Sequence, residues 1–354
     1  MAKKLFIPGP INISPEIFTA MSRPMIGHRM KEYAELHERV TTALKKLLFT
    51  EDRVFLSTSS AFGAMEGAIR NLTKTRCANF CNGAFSDKWH EVTLRCGKAA
   101  DAIKVPWGEA ITPELVDKTL SSGKYDCMTM IHNETSTGVM SPLPEIADIM
   151  RKYPDVVFVV DTVSSISALP IPVQKMGIDC CIFGVQKALA LPPGLAVFTA
   201  TEKALQRAAT VENRGYYFDF LEFANNDTKH NTPSTPCISL IYGLDCQLQR
   251  IFAEGLESRW NRHQLMAERT RNFVIEHGFE LFAPQGCRSV TLTCAKNSKK
   301  TDLAALKQKL SARGYAFDDG YGKIKGETFR IAHMGDLQPA ELEEFLEVFA
   351  QEMG

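Results

Sequence analysis

Four short segments carry residue types that do chemistry in combination. Lys187, in Gly184-Val185-Gln186-Lys187-Ala188, follows an apolar run at 180–183 and precedes Pro192-Pro193-Gly194. Beside buried apolar surface an ammonium is poorly solvated, which favours the neutral, nucleophilic amine. A lysine after a strand can equally be a plain surface residue. Asp161 comes directly after the apolar run Val156-Val157-Phe158-Val159-Val160, so it stands at the carboxyl end of a buried strand, where open α/β sheets place their ligands. Capping the following helix is its bland role. Residues 57–66, Ser57-Thr58-Ser59-Ser60-Ala61-Phe62-Gly63-Ala64-Met65-Glu66, form a small, hydroxyl-rich turn between a strand and a helical pattern. Such a turn can offer backbone N–H groups and a helix N-terminus to a phosphate, or simply cap the helix. Arg330 sits mid-strand in Thr328-Phe329-Arg330-Ile331-Ala332, where its planar fork requires an anion, either a substrate carboxylate or an internal acid.

The elements that position these groups follow from the apolar pattern. Residues 53–56, 127–131, 156–160, 180–183 and 195–198 are runs without polar alternation, as expected of strands buried on both faces. Amphipathic stretches separate them, including a helix over 144–153 with Pro144 in its first turn. The expected class is α/β, with a mostly parallel central sheet flanked by helices. After Pro236 a long proline-free stretch predicts a long helix bent near Gly255. Beyond it come a strand over 289–294, a helix over 302–313, a strand over 329–333 and a helix over 339–352, which make a smaller α+β domain. The expected organisation is an N-terminal arm over 1–15, a large domain over 16–254 and a small domain over 255–354. Gly320-Tyr321-Gly322-Lys323-Ile324-Lys325-Gly326 resembles a dinucleotide loop, but its spacing departs from GxGxxG and it precedes a strand. That reading is rejected.

Composition narrows the function classes. The 354 residues carry 41 Lys+Arg against 41 Asp+Glu, so there is no net field for nucleic acid or a membrane surface. The apolar stretch at the N-terminus ends at Pro8-Gly9-Pro10, short of a signal core, and no run is long enough for a membrane span. The ten cysteines are scattered singly through apolar segments without zinc spacing. The expectation is a cytoplasmic, reduced protein with a small-molecule or protein partner and no metal.

Taken together, the segments resemble the class V aminotransferases of the fold-type I pyridoxal-phosphate enzymes, in particular the alanine–glyoxylate and serine–pyruvate group. The resemblance runs nearly end to end. It includes Pro8-Gly9-Pro10, Gly27-His28-Arg29, Asn82-Gly83-Ala84-Phe85, His132-Asn133-Glu134-Thr135-Ser136-Thr137-Gly138-Val139, the Asp161 segment, Gln186-Lys187-Ala188-Leu189 and Phe329-Arg330. It implies pyridoxal 5'-phosphate as cofactor, held covalently by Lys187, with Asp161 on its ring nitrogen and Phe85 stacked on its ring. It further implies Ser60, Ala61, Phe62 and Gln186 around the phosphate, Thr135 near the ring, and Arg330 on the substrate carboxylate. Thr235 would reach the phosphate of a partner subunit, so the resemblance implies a homodimer with shared sites. Thr232 stands where relatives often carry a tyrosine.

The implied activity is ping-pong transfer of an amino group from serine or alanine to glyoxylate or pyruvate. Gly27, His28 and Arg29 are further candidates for substrate binding; the His28-Arg29 pair could hold a substrate phosphate or side-chain carboxylate, or make a dimer contact. Phosphoserine, 2-aminoethylphosphonate and aspartate aminotransferases are the alternatives. A cysteine desulfurase would need a mobile nucleophilic cysteine, and Cys287 and Cys294 flank or lie in a strand. A catalytically silent cofactor-binding protein would not need Lys187, Asp161 and Arg330 together.

Overall fold

A strand with no polar alternation is stable only where both its faces meet apolar partners. The computed structural model describes residues 3–353. Its strands in chain order are β1 (Lys4–Leu5), β2 (Arg53–Ser57), β3 (Cys77–Cys81), β4 (Ala100–Lys104), β5 (Cys127–Ile131), β6 (Asn133–Glu134), β7 (Val139–Met140), β8 (Val157–Asp161), β9 (Cys180–Gly184), β10 (Ala196–Ala200), β11 (Glu280–Leu281), β12 (Leu292–Lys296), β13 (Tyr315–Ala316) and β14 (Thr328–Ala332). The helices are α1 (Pro15–Met21), α2 (Lys31–Leu48), α3 (Ala61–Leu72), α4 (Ala84–Arg95), α5 (Pro113–Leu120), α6 (Leu143–Met150), α7 (Glu202–Ala209), α8 (Phe220–Asp227), α9 (Ile238–Glu254), α10 (Leu256–Glu276), α11 (Leu303–Ala312) and α12 (Pro339–Met353).

Seven strands form the central sheet in the order β2-β10-β9-β8-β5-β3-β4. Only β10 runs antiparallel to its neighbours. In β8, Phe158 and Val160 pack into one core with α2, α6 and α9, while Val157 and Val159 pack into another with α3, α7 and α8. Each such side chain contributes about 1.5–3 kcal/mol when fully buried. The architecture is the α/β class that the apolar runs predict, a mostly parallel central sheet flanked by helices.

β3 and β4 were not marked by periodicity. Asn79 interrupts the apolar run of β3, and its buried amide donates to Thr93 Oγ1 at 3.1 Å and Thr129 Oγ1 at 2.8 Å. β4 is an edge strand and only half-buried. The helix expected over 144–153 stops at Met150; Tyr153 precedes Pro154, whose ring disfavours helical backbone in the residue before it. The stretch after Pro236 is two helices instead of one bent one, because Gly255 adopts φ +87° between α9 and α10.

The C-terminal part carries the antiparallel sheet β11-β12-β14 under α10, α11 and α12. The N-terminal arm joins it: β1 pairs in parallel with β13, and Phe6 stacks on Phe345 with ring centroids 3.8 Å apart. Ile7, Pro8 and Gly9 then pass on to the central sheet. Among the described residues no helix is long and apolar enough to cross a membrane.

Candidate active site

Because β2, β5, β8 and β9 run in one direction, their carboxyl ends open on one edge of the sheet, and the four chemical segments meet there. A cavity of about 320 Å³ is lined by Ser60, Ala61, Phe62, Phe85, Thr135, Asp161, Gln186, Lys187 and Arg330. Its volume falls at the small end of ligand pockets, which span roughly 300–1,000 Å³.

Asp161 ends β8 and is buried. Its Oδ1 accepts from the Val163 N–H at 2.9 Å and its Oδ2 from Trp89 Nε1–H at 3.2 Å. Burial pushes the carboxyl up to about 6, against the pull of those two hydrogen bonds and of Lys187. Lys187 lies on the turn after β9, where its Nζ donates to Thr135 Oγ1 at 2.8 Å and Ser164 Oγ at 2.9 Å. The same Nζ is 5.3 Å from the centre of the Phe85 ring. Burial draws the ammonium down to about 8, opposed by Asp161 and assisted by Arg330. The site therefore holds an amine and an acid that both titrate close to physiological pH.

At the other end of the cavity Ser60 is the N-cap of α3 and makes no side-chain cap hydrogen bond. The first-turn N–H groups of Ala61 and Phe62 have no partner within the helix, and the helix dipole adds positive potential there. The N-terminal arm closes the wall. Gly9 has φ +114°, and a Cβ on it would lie 3.0 Å from Lys187 Cγ, so only glycine lets the arm pass the lysine stem. An unfilled helix cap, an aromatic wall, a buried acid and a partly buried lysine fit a phosphorylated pyridine aldehyde. Ser60, Ala61, Phe62 and Gln186 would hold its phosphate, Phe85 its ring, Asp161 its nitrogen and Lys187 its carbonyl.

Arg330 is buried, and its partner is the internal acid, one of the two anions its sequence position allowed. Its Nε and Nη2 fork onto Asp318 at 2.7 and 2.9 Å, and Nη1 donates to the Thr135 carbonyl at 2.8 Å. Of the five guanidinium N–H donors, these bonds use three, and the side chain still lines the cavity. The remaining sequence candidates lie elsewhere. Gly27 and Arg29 are exposed and His28 half-buried on the connection between α1 and α2, which is tied to α9 where Tyr242 donates to the Pro24 carbonyl at 3.1 Å. Thr235 is exposed before α9. None of these four lines the chain's own cavity. Cys287 and Cys294 do not line it either; burial pushes the Cys294 thiol up to about 12.

Trp89, Ser164 and Asp318 escaped the sequence reading, and Glu134, though inside the matching stretch 132–139, was given no role there. Phe85 and Trp89 are four apart, hence on one face of α4, and that spacing was an available clue. Glu134 is fully buried and accepts from the Ser86 N–H at 2.9 Å, the Ser136 N–H at 3.0 Å and Ser136 Oγ at 2.6 Å. It is the carboxylate at the start of α4. The strand expected over 289–294 begins only at Leu292, because Ser289 and Thr291 turn their hydroxyls onto the Asn133 amide at 2.8 and 2.9 Å.

A lysine facing a buried acid at the carboxyl edge of a mostly parallel sheet, with an open helix cap beyond them, defines a pyridoxal-phosphate enzyme of fold type I. The chain belongs to the class V aminotransferases: the family model described as aminotransferase class-V matches residues 18–321. An uncharacterized aminotransferase of Methanocaldococcus jannaschii is 38% identical over 341 residues, covering 94% of this chain and 88% of the relative. The serine–glyoxylate aminotransferase of Methylorubrum extorquens is 32% identical over 355 residues, covering 96% and 88%. The solved alanine–glyoxylate aminotransferase from Nostoc sp. is similar over 100% of this chain and 96% of that one, at TM-score 0.94 and 25% identity. The protein is a pyridoxal-phosphate-dependent transaminase.

Proposed function

We propose that the protein moves an amino group from serine or alanine to glyoxylate or pyruvate in two half-reactions at one site. The observation that carries this reading is the convergence of Lys187, Asp161 and Arg330 on a single small cavity. The two relatives with assigned activities share glyoxylate in their names and differ in the donor, serine in one and alanine in the other.

Bound pyridoxal phosphate supplies a carbonyl for the amino group and an electron-poor ring that draws charge from Cα. Everything else is done by the chain. Arg330 binds the substrate carboxylate with its two unspent donors while Asp318 holds the guanidinium in plane. The Lys187 amine, near 8, would take the Cα proton and return it across the transferred nitrogen, two bonds from Cα. Asp161 keeps a proton on the ring nitrogen, Thr135 and Ser164 aim Nζ, and Phe85 excludes water from one face. The second half-reaction runs the same steps backwards with the keto acid.

We further propose a homodimer. Thr235 and His28-Arg29 do not reach their own cavity, and the exposed apolar groups Met25, Met30, Phe62 and Tyr216 invite a covering surface. In that dimer Thr235 serves the partner's phosphate and His28-Arg29 stands near the partner's substrate. All ten cysteines are free thiols, which supports a reducing compartment, the cytoplasm.

The test is to mix stoichiometric loaded enzyme with serine, alanine, aspartate or phosphoserine and follow its visible absorbance, then add keto acids. Serine or alanine should convert the spectrum fastest, and glyoxylate or pyruvate should restore it. Conversion by phosphoserine or aspartate alone would overturn the donor assignment.

A further inference from the structure

The glycine-rich segment 320–326, which is no dinucleotide loop, has a place in the active site. It enters β14 through a tight turn, and its three glycines, Gly320, Gly322 and Gly326, have φ of +90°, +60° and +81°. Two of them are also sites of close approach. A Cβ on Gly320 would lie 2.7 Å from the Thr328 carbonyl oxygen, and one on Gly322 would lie 3.0 Å from the Trp107 ring. Lys323 Nζ then covers that indole at 4.3 Å from its centre. The turn is thus pinned on both sides of Tyr321.

What the pinned turn presents is the Tyr321 ring. It stacks on Phe85 with centroids 5.1 Å apart and planes 14° from parallel, and the Arg330 guanidinium carbon lies 5.4 Å from its centre. Although Tyr321 lines the cavity, it remains 44% exposed, so it stands at the mouth. Phe85, Lys187, Thr135, Arg330 and Tyr321 therefore close a circuit of contacts around the space between amine and guanidinium. A donor whose carboxylate rests on Arg330 and whose nitrogen faces Lys187 spans that circuit. Its side chain would then lie beside the tyrosine ring, whose centre is 5.4 Å from the guanidinium carbon.

We propose that Tyr321 is the specificity-determining residue of the site: its ring is the wall that admits amino acids with small side chains and rejects bulky ones. The proposal rests on the small-donor reading given above. Removing the ring opens the circuit to solvent on one side, while Tyr321→Phe keeps the wall and loses only the hydroxyl.

Binding of unreactive carboxylates to the loaded enzyme tests it by calorimetry, since these compounds lack the amino group and cannot turn over. Wild type should bind propionate at least about tenfold more tightly than 3-phenylpropionate, the scale on which a pocket discriminates apolar bulk. Tyr321→Phe should keep that ratio and Tyr321→Ala should abolish or invert it. The kcat/KM ratio of alanine to phenylalanine should move in parallel. A Tyr321→Ala enzyme with the wild-type ratio, a Tyr321→Phe enzyme that loses it, or a wild type without size preference would each overturn the proposal. If the carboxylate ratio behaves as expected and no amino acid turns over, the wall stands and the donor reading falls, so the two fail separately.

Discussion

Trp89 donates from Nε1 to Asp161 Oδ2 at 3.2 Å, and it does so from the helix that carries Phe85 over the Lys187 amine. One face of α4 therefore builds two parts of the site, the aromatic wall and the support of the buried acid. The orientation of that helix sets both. Its own N-terminus is held by Glu134, since the N-cap is Gly83 and has no side chain to offer.

Replacing the indole tests the first of these links. Trp89→Phe keeps most of the buried bulk and deletes the donor. Asp161 is already raised to about 6 by burial, and the indole is one of the groups holding it down. Without it the carboxyl rises further, by about one pH unit if the bond to the charged form is worth about 1.5 kcal/mol. A protonated Asp161 no longer keeps the ring nitrogen charged, so the acid limb of the kcat profile should shift to higher pH. Superimposable profiles would refute the link.

Lys187→Met separates chemistry from stability. Visible absorbance of the loaded enzyme and turnover should vanish together. In the apoprotein the amine titrates near 8 when folded against an ordinary 10.5, so between those values the unfolded chain binds more protons and wild-type stability rises with pH, by at most about 1.4 kcal/mol per unit. The variant lacks that slope. Asp161 acts with the opposite sign: raised from 3.8 to about 6, it makes stability fall as pH climbs through that window in both proteins. Urea midpoints measured from pH 5 to 10 check both limbs.

Glu134→Ala strips four donors of their acceptor, the Phe85 and Ser86 N–H groups at the start of α4 and the N–H and hydroxyl of Ser136. An expected loss of about 3–5 kcal/mol follows from breaking such a buried charged network, with Glu134→Gln losing less. Gly83→Ala should be comparably severe, because its Cβ would sit 2.3 Å from Glu134 Cγ. Denaturant midpoints read the energies. Weakened cofactor retention in Glu134→Gln would follow from the displaced Phe85 and Trp89.

Arg330→Lys replaces a planar fork by a point charge. Both the Asp318 pairing and the two-point grip on a carboxylate are lost. The KM of donor and acceptor should each rise by about tenfold or more, the scale of a charge-assisted pair. A simple alkylamine without a carboxylate should bind the variant and wild type alike; equal weakening for the amine would show that the lysine merely disturbs the fold.

Much of the site was legible because it depends on local order. Asp161 and Lys187 each follow an apolar run, and in a sheet whose strands are buried on both faces such a run ends at the ligand edge. The edge strand β4 and the Asn79-interrupted β3 escaped because half-exposure and a single satisfied polar group erase the pattern that marks buried strands. Tyr153 and Gly255 show the limit at boundaries, where one proline or one left-handed residue decides where a helix stops.

The sequence by itself determined the class of chemistry: the amine, the acid, the hydroxyl-rich turn and the arginine are set by residue type and by place relative to a strand, which chain order encodes. Only the tertiary structure decided who attends them. Trp89 beneath Asp161, Ser164 beside Lys187, Asp318 against Arg330 and Tyr321 on Phe85 are meetings between separate elements. They depend on how helices and turns pack on the sheet, and packing is a property of the folded interior that no local pattern records.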